Sequence, residues 1–170
     1  AIGERPLLLV ENQGYIHYNK GSVVLYGLRE FLGEDTVNQA YRSLVDSFGY
    51  AEPPWPTALD MKRALLKVTP DSLRYLITDG LDKITIHNNR VEAATARMLP
   101  DSTYEVKIKL WAEKNHADSL GRETPVPMHD WFDVSILRFP AFGRTADKSL
   151  NGVPLMQQRV MLTSGWNELT

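Results

Sequence analysis

The sequence predicts an α+β protein in which an N-terminal helical segment of about four helices precedes an antiparallel β-sandwich-like domain. Up to Leu81 the apolar residues recur at the helical period of about 3.6 residues, and after Leu81 the period shortens to the two residues of a half-buried strand. Because the strands follow one another without intervening helices, we expect a sandwich rather than βαβ units. The predicted domains are residues 1–81 and residues 82–170.

The first two helices are predicted from their apolar stripes and from the glycines that follow them. Val24, Leu28, Phe31 and Leu32 recur along one face, and Gly33 stands where a C-terminal cap in the αL conformation belongs. Asp35 or Thr36 is the expected N-cap of the second helix. The stripe of that helix ends before Gly49 and contains Val37, Tyr41, Leu44, Val45 and Phe48.

Two further helices follow a connector that prolines exclude from helical geometry, residues 51–57. Thr57 caps the third helix, with Asp60 placed to complete a capping box. The fourth helix is expected to have Thr69 as N-cap and Pro70 at its first position, and to stop near Gly80.

The second half of the chain shows the alternation of strands with one solvated face, clearest in TYEVKIKLW. Polar, Gly- and Pro-punctuated stretches at 115–129 and 139–154 are predicted to be surface loops. The predicted strands are Lys83–His87, Arg90–Met98, Thr103–Trp111, Trp131–Leu137 and Met156–Thr163, and a strand-like pattern continues to Thr170.

The amino-acid composition excludes several classes of protein and of site. A net charge of −2 over 170 residues argues against a nucleic-acid partner, and the lack of cysteine excludes disulfides and thiolate zinc sites. The apolar runs are too short to cross a bilayer, so we expect a soluble segment that does not itself contact a membrane. A start at Ala1 rather than Met, and an end within a strand-like pattern, lead us to expect a fragment of a longer protein.

The candidate metal ligands are scattered. No two of the four histidines lie three or four residues apart, so we expect no metal site in this chain. His87 is expected in a surface turn and His116 in a polar loop. In HDWFD, alternation makes Asp133 a strand residue and puts Asp130 near the strand entrance, with a metal cluster as the less favoured reading. No nucleophile elbow, P-loop or dinucleotide motif occurs.

The stretch YIHYNKGSVVLYGLREFLG crowds aromatic and titratable groups into one helical turn. Tyr15 and Tyr18 could close a core while their hydroxyls reach solvent. Alternatively, Tyr18 could aim a neutral phenol into a cleft, where it would be a good donor to a developing oxyanion. His17 would point about 100° away on a helix and is left out of the candidate site.

HYNKGSVVLYGLREFLGEDTVNQAYRSLVDSFGY, which begins at His17, resembles the segment of M1-family zinc aminopeptidases downstream of their zinc motif. There a Tyr-x-Lys-Gly sequence opens an apolar helix that leads into Leu-Gly-Glu and a second amphipathic helix. Tyr18, Lys20 and Gly21 match the first motif, and residues 32–34 match the second. From ERPLLLVENQ onward, the chain is also similar to the C-terminal part of bacterial membrane proteins in which an M1-like region follows an ABC-permease-like region.

The resemblance implies the helical tail of a zinc metallopeptidase catalytic domain, followed by a β-sandwich domain. It implies, for Tyr18 only, that its hydroxyl donates a hydrogen bond to the tetrahedral intermediate. We assign structural roles to the other two motif residues: Lys20 is expected to pair with a carboxylate, and Gly21 to permit close helix approach. Zinc would be the cofactor of the longer protein, and the partners would be an upstream catalytic domain and a peptide substrate.

These residues lack both the H-E-x-x-H zinc motif and the G-x-M-E-N motif of that family. We therefore expect the chain to bind no zinc and to be inactive alone. The alternative hypothesis is a non-catalytic interaction or docking module of a permease-linked membrane protein.

Overall fold

The computed structural model describes residues 3–137 and 154–170. N-terminal helices precede strands that form antiparallel sheets, so the predicted α+β class is confirmed. The chain forms two compact units. The helix-rich unit comprises residues through Ile86 together with Asn115–Thr124, and the strand-rich unit comprises His87–Lys114 and residues from Pro125 onward.

The helix-rich unit has one apolar core, to which Leu28, Leu65, Ile77 and Leu81 contribute almost completely buried side chains. None of the described helices combines the length and the apolarity that crossing a bilayer requires. The elements in chain order are a 3₁₀ turn at Leu7–Leu9, a π-helical turn at Tyr15–Lys20, helix α1 at Gly21–Leu32, helix α2 at Glu34–Phe48, helix α3 at Ala58–Val68, a 3₁₀ turn at Asp71–Leu73, helix α4 at Arg74–Ile77 and a π-helical turn at Thr78–Asp82.

Gly33 alone separates α1 from α2. Gly33 is the C-cap of α1 as predicted, and its N–H donates to the Arg29 carbonyl. Its φ of 87° and ψ of 148° are not those of the predicted αL conformation, but they belong to a region that is essentially restricted to glycine. The predicted N-cap at Asp35 or Thr36 is wrong, because α2 begins at Glu34 and the Gly33 carbonyl accepts its first hydrogen bond, from the Val37 N–H. The acidic residues instead lie in the first turn, where the helix dipole favours negative charge.

The capping box of α3 is confirmed, because the Asp60 carboxylate accepts hydrogen bonds of 2.8 Å from both the backbone N–H and the hydroxyl of Thr57. The predicted fourth helix is wrong in its start. Thr69 donates its hydroxyl to the Leu65 carbonyl at 2.7 Å and so ends α3 instead of capping the next helix. Downstream, Gly80 lets α1 approach closely, since a Cβ there would lie 2.7 Å from Cγ1 of Val24.

The strands agree with the predicted ones except between 115 and 129. That stretch was predicted to be a surface loop but carries two strands, β4 and β5, each only four residues long. Such short polar strands show too little alternation to be distinguished from a loop. The strands are β1 at Ile84–His87, β2 at Arg90–Met98, β3 at Tyr104–Ala112, β4 at Lys114–Ala117, β5 at Glu123–Val126, β6 at His129–Leu137, β7 at Pro154–Thr163 and β8 at Gly165–Leu169.

Two sheets of the strand-rich unit share one core, as in a sandwich. One sheet has the order β2–β3–β8, the other pairs β6 with β7, and β1–β4–β5 form a third sheet. Buried side chains of β3, such as Ile108 and Leu110, cluster with Val160 and Leu162 of β7. The loop predicted at 139–154 lies outside the described residues, apart from Pro154 at the start of β7.

Alanine substitutions at Gly27, within α1, and at Gly33, at its C-terminal end, should change the free energy of unfolding in opposite directions. Gly27→Ala should raise the free energy of unfolding by about 0.5–1 kcal/mol, because the site is helical and a Cβ there meets nothing within 4 Å. Gly33→Ala should lower it by about 1–3 kcal/mol, because φ must stay positive. Urea denaturation of both variants measures the two changes, and a neutral Gly33→Ala would contradict the need for a positive φ between α1 and α2.

Candidate functional site

The π-helical turn at Tyr15–Lys20 is anchored along one side. Ile16 has no exposed surface, and the Gln13 carbonyl accepts hydrogen bonds from the Ile16 and His17 N–H groups at 2.9 and 3.2 Å. The Gln13 side chain, also buried, donates to the Gly3 carbonyl at 3.2 Å. The orientation of this turn is therefore set by its buried face, and π-helical turns of this kind are frequent at functional sites.

Tyr18 lies on the opposite, solvated face of this turn. Its side chain is 74% exposed, and no described residue forms a hydrogen bond with its hydroxyl. The ring lies beside that of His17, with centroids 4.6 Å apart and planes inclined by 50°. The expectation that His17 points away from Tyr18 assumed ordinary α-helical spacing, whereas the wider π-helical turn separates consecutive side chains by a smaller angle.

Lys20 and Gly21 hold the end of the turn. The Lys20 ammonium lies 2.9 Å from Oε1 of Glu4, which supplies the carboxylate expected for this lysine. Gly21 is buried, and a Cβ there would lie 3.5 Å from Cδ1 of Leu7, so the segment before the helix packs closely against this glycine. Both residues therefore contribute to positioning rather than to the exposed surface.

A groove lies between α1 and α2. Tyr18 is not among the residues that line this groove. The Arg29 guanidinium is 5.5 Å from the centroid of the Tyr26 ring and 3.1 Å from the Glu34 carboxylate, and it bridges the two helices. The groove encloses about 590 Å³ and is lined by Ser22, Leu25, Tyr26, Arg29, Glu34, Val37, Asn38 and Tyr41.

The wall of this groove includes one partly buried phenol. Burial raises the pKa of Tyr41 above its ordinary value, so its hydroxyl stays protonated at neutral pH. The groove therefore presents neutral phenols beside one internally neutralised ion pair, Arg29 with Glu34.

The histidines and acidic residues considered as metal ligands do not lie together in one group, because they contact different side chains. His116 lies on β4 rather than in a surface loop, and its Nε2 is 3.1 Å from Oδ1 of Asp79. Asp133 is bound by the Arg159 guanidinium at 2.8 Å. Among the described residues, no three histidine, aspartate or glutamate side chains converge as a metal site would require.

Sequence reasoning missed a buried charge cluster in the strand-rich unit. Lys114 and Asp130 have side chains only 6% and 5% exposed, and their charged atoms are 2.8 and 3.0 Å apart. His87, which ends β1 as expected, brings its Nε2 to 3.6 Å from Oδ2 of Asp130. Asp130 is the second residue of β6, near the strand entrance as predicted, but its burial and its pairing with a residue 16 positions away left no signal in the sequence.

The carboxyl of Asp130 titrates below its ordinary range. Burial on its own raises the pKa of Asp130, but hydrogen bonding to His87 and Lys114, with the charge of Lys114, lowers it by more. The Asp130 carboxyl is therefore ionised at neutral pH, and the Lys114 ammonium beside it compensates its charge.

Comparison with protein-family models, with curated proteins and with solved structures finds no match to this chain.

Breaking the buried ion pair should be costly. Lys114→Met should lower the free energy of unfolding by about 3–5 kcal/mol, because it leaves the Asp130 carboxylate buried and uncompensated. The double variant Lys114→Met/Asp130→Leu should recover most of this loss, since an apolar pair of similar size avoids desolvating two charges. Denaturant titration separates the two results, and a single variant as stable as the wild type would contradict the pairing.

The same pair should make the protein sensitive to acid. Because the pKa of Asp130 is lowered on folding, its contribution to stability is complete above the unfolded-state pKa of about 4 and is lost as the pH falls below it. Between pH 5 and about pH 3, the wild type should therefore lose more stability than Lys114→Met/Asp130→Leu. Equal losses in thermal melts over this range would show that Asp130 does not contribute.

Proposed function

We propose that this chain is the C-terminal portion of an M1-like zinc aminopeptidase, and that Tyr18 is its oxyanion-stabilising residue. The observation that carries the proposal is the position of Tyr18 on an anchored π-helical turn, with its hydroxyl exposed and without a described partner. A phenol used only to close a core would have its ring buried, whereas this ring is largely in solvent.

The role of Tyr18 follows from the chemistry of amide hydrolysis. As water adds to the scissile carbonyl, negative charge collects on its oxygen, and a hydrogen bond from a neutral phenol strengthens as that charge develops. Ile16, Lys20 and Gly21 restrict the movement of the turn, so the donor is held in place before the reaction. The backbone that carries the donor therefore needs no rearrangement during the step.

Zinc would have to be held by residues outside this chain. The described residues offer no convergent set of three candidate ligands, and Asp79, Asp130 and Asp133 are each already paired with a basic side chain. We therefore derive no catalytic step through zinc from these residues. The part assigned to this chain is the oxyanion donor and the surface beside it.

The rival function is a docking module without catalytic activity. It is favoured by the exposure of three tyrosines, Tyr15 and Tyr18 on the π-helical turn and Tyr26 on α1. Exposed tyrosines are common in protein interfaces because they offer a rigid ring and a polar end. The two functions differ in whether the Tyr18 hydroxyl or only its ring is required.

The sequence of the longer protein gives the first test. The peptidase proposal expects an H-E-x-x-H motif followed by a more distant glutamate upstream of Ala1. A parent protein without that motif would overturn the peptidase function and leave the docking function.

Tyr18→Phe in that longer protein gives the kinetic test. Loss of one oxyanion donor should lower kcat for an aminoacyl-anilide substrate by about 100- to 1,000-fold while KM changes little. Tyr15→Phe is the matched control, since Tyr15 is an exposed phenol on the same turn and should keep full activity. An unchanged kcat for Tyr18→Phe would refute the oxyanion role.

A further inference from the structure

Strand β2 is an open edge of the strand-rich unit. It lies at the end of the order β2–β3–β8, and β3 is its sole partner among the described residues. All nine of its residues are exposed, and the sequence RVEAATARM contains neither lysine nor proline, which commonly protect sheet edges. An edge of this length presents a row of unpaired backbone donors and acceptors to solvent.

The inner face of β2 is also uncovered. Residues directly opposite one another in antiparallel strands point to the same side of a sheet, so Val91 and Ala94 face the same way as Leu110 and Ile108 of the core. Nevertheless, Val91 is 62% exposed, and Met98, on the same face, is 65% exposed. The described part of the β6–β7 sheet therefore leaves this end of the sandwich open.

We propose that β2 pairs with β2 of a second copy of this chain, in an antiparallel arrangement with Thr95 on the two-fold axis. In that register Thr95 lies opposite Thr95 of the second copy, and Ala94 lies opposite Ala96. Both inner alanines then meet inner alanines, as an antiparallel pair requires. The two three-stranded sheets would join into one continuous sheet.

The irregularity of β2 fits this register. Pairing with β3 shifts between Val91 and Ala93, leaving Glu92 without a partner residue in the ladder. When the same shift is kept across the two-fold axis, Ala93 lies opposite Arg97 and Val91 lies opposite Met98. The two most exposed apolar side chains of the strand thereby cover each other.

Charge is complementary in the same register. Glu92 lies within 3.9 Å of Arg90, whose position opposite Trp111 marks the outer face, so Glu92 also reaches that face. Arg97 is on the outer face as well, opposite Glu105. Across the two-fold axis each Glu92 would lie beside Arg97 of the other copy, giving two new ion pairs. A strand-to-strand interface is smaller than the roughly 1,200 Å² of stable complexes, so association should be weak, with a Kd of about 10 µM to 1 mM.

Cysteine cross-linking tests the register directly, because the natural chain has no cysteine. Thr95→Cys should form a disulfide-linked dimer under mild oxidation, since opposite Cα atoms about 4.5–5.5 Å apart fall within disulfide range. Ala93→Cys is the matched control on the same strand and face, where the two thiols would lie about 13 Å apart. Equal cross-linking of both variants, or of neither, would overturn the register.

Charge variants test the association itself by sedimentation of the full chain over a range of concentrations. Thr95→Glu should abolish the dimer because two carboxylates would meet on the axis, whereas Ala93→Glu should retain or strengthen it, since its carboxylate would face Arg97 of the other copy. In the monomer both new glutamates lie opposite a lysine of β3, so their effects on folding are matched. A wild type that remains monomeric at about 1 mM would refute the proposal.

Discussion

Burial of one face of each element is the constraint on which the helix-rich unit depends. Ile16, Leu65 and Ile77 leave no surface to solvent, and Leu28 and Leu81 leave almost none. Together with Val37 and Ala40 of α2, these few side chains determine which face each helix buries. Once the buried face is fixed, the residues on the opposite face have no freedom to turn inward, which is why Tyr18 is exposed.

The strand-rich unit adds a polar constraint to its apolar core. Two charges removed from water cost more than their attraction returns unless they stay close and hydrogen-bonded. The Lys114–Asp130 pair meets that condition at 2.8 Å, with His87 as a partly exposed third member. Lys114 and Asp130 are 16 residues apart in the chain, so their contact restricts this part of the strand-rich unit in a way that ladder hydrogen bonds do not.

Sequence patterns predicted the parts of the fold that depend on local or periodic signals. The caps at Gly33 and Thr57 were predictable because the residue that causes each feature lies at the feature itself. β4 and β5 were not predictable because each is too short to show a period. The Lys114–Asp130 pair was also beyond sequence reasoning, since its energy depends on a distance between strands that nothing local determines.

The same distinction applies to the candidate site, where local sequence predicted which residue matters and tertiary packing determined its surroundings. The motif identified Tyr18 as a position of interest, but its exposure results from tertiary burial of Ile16 and Gln13 on the other side of the turn. The contact with His17 depends on a π-helical turn, which an expectation of regular α-helix does not include.

Tyr18 and β2 are exposed for different physical reasons, and this difference governs what each can do. The backbone around Tyr18 is fully engaged within its own helical segment, so a single side-chain group is offered to solvent. Strand β2 offers its backbone as well, because one edge of its ladder is unpaired among the described residues. A single hydroxyl can stabilise one developing charge. A strand edge with unpaired backbone groups and exposed apolar side chains can bind only another extended strand. The proposed oxyanion role therefore requires only the Tyr18 side chain, whereas the proposed self-association requires the backbone of β2 as well.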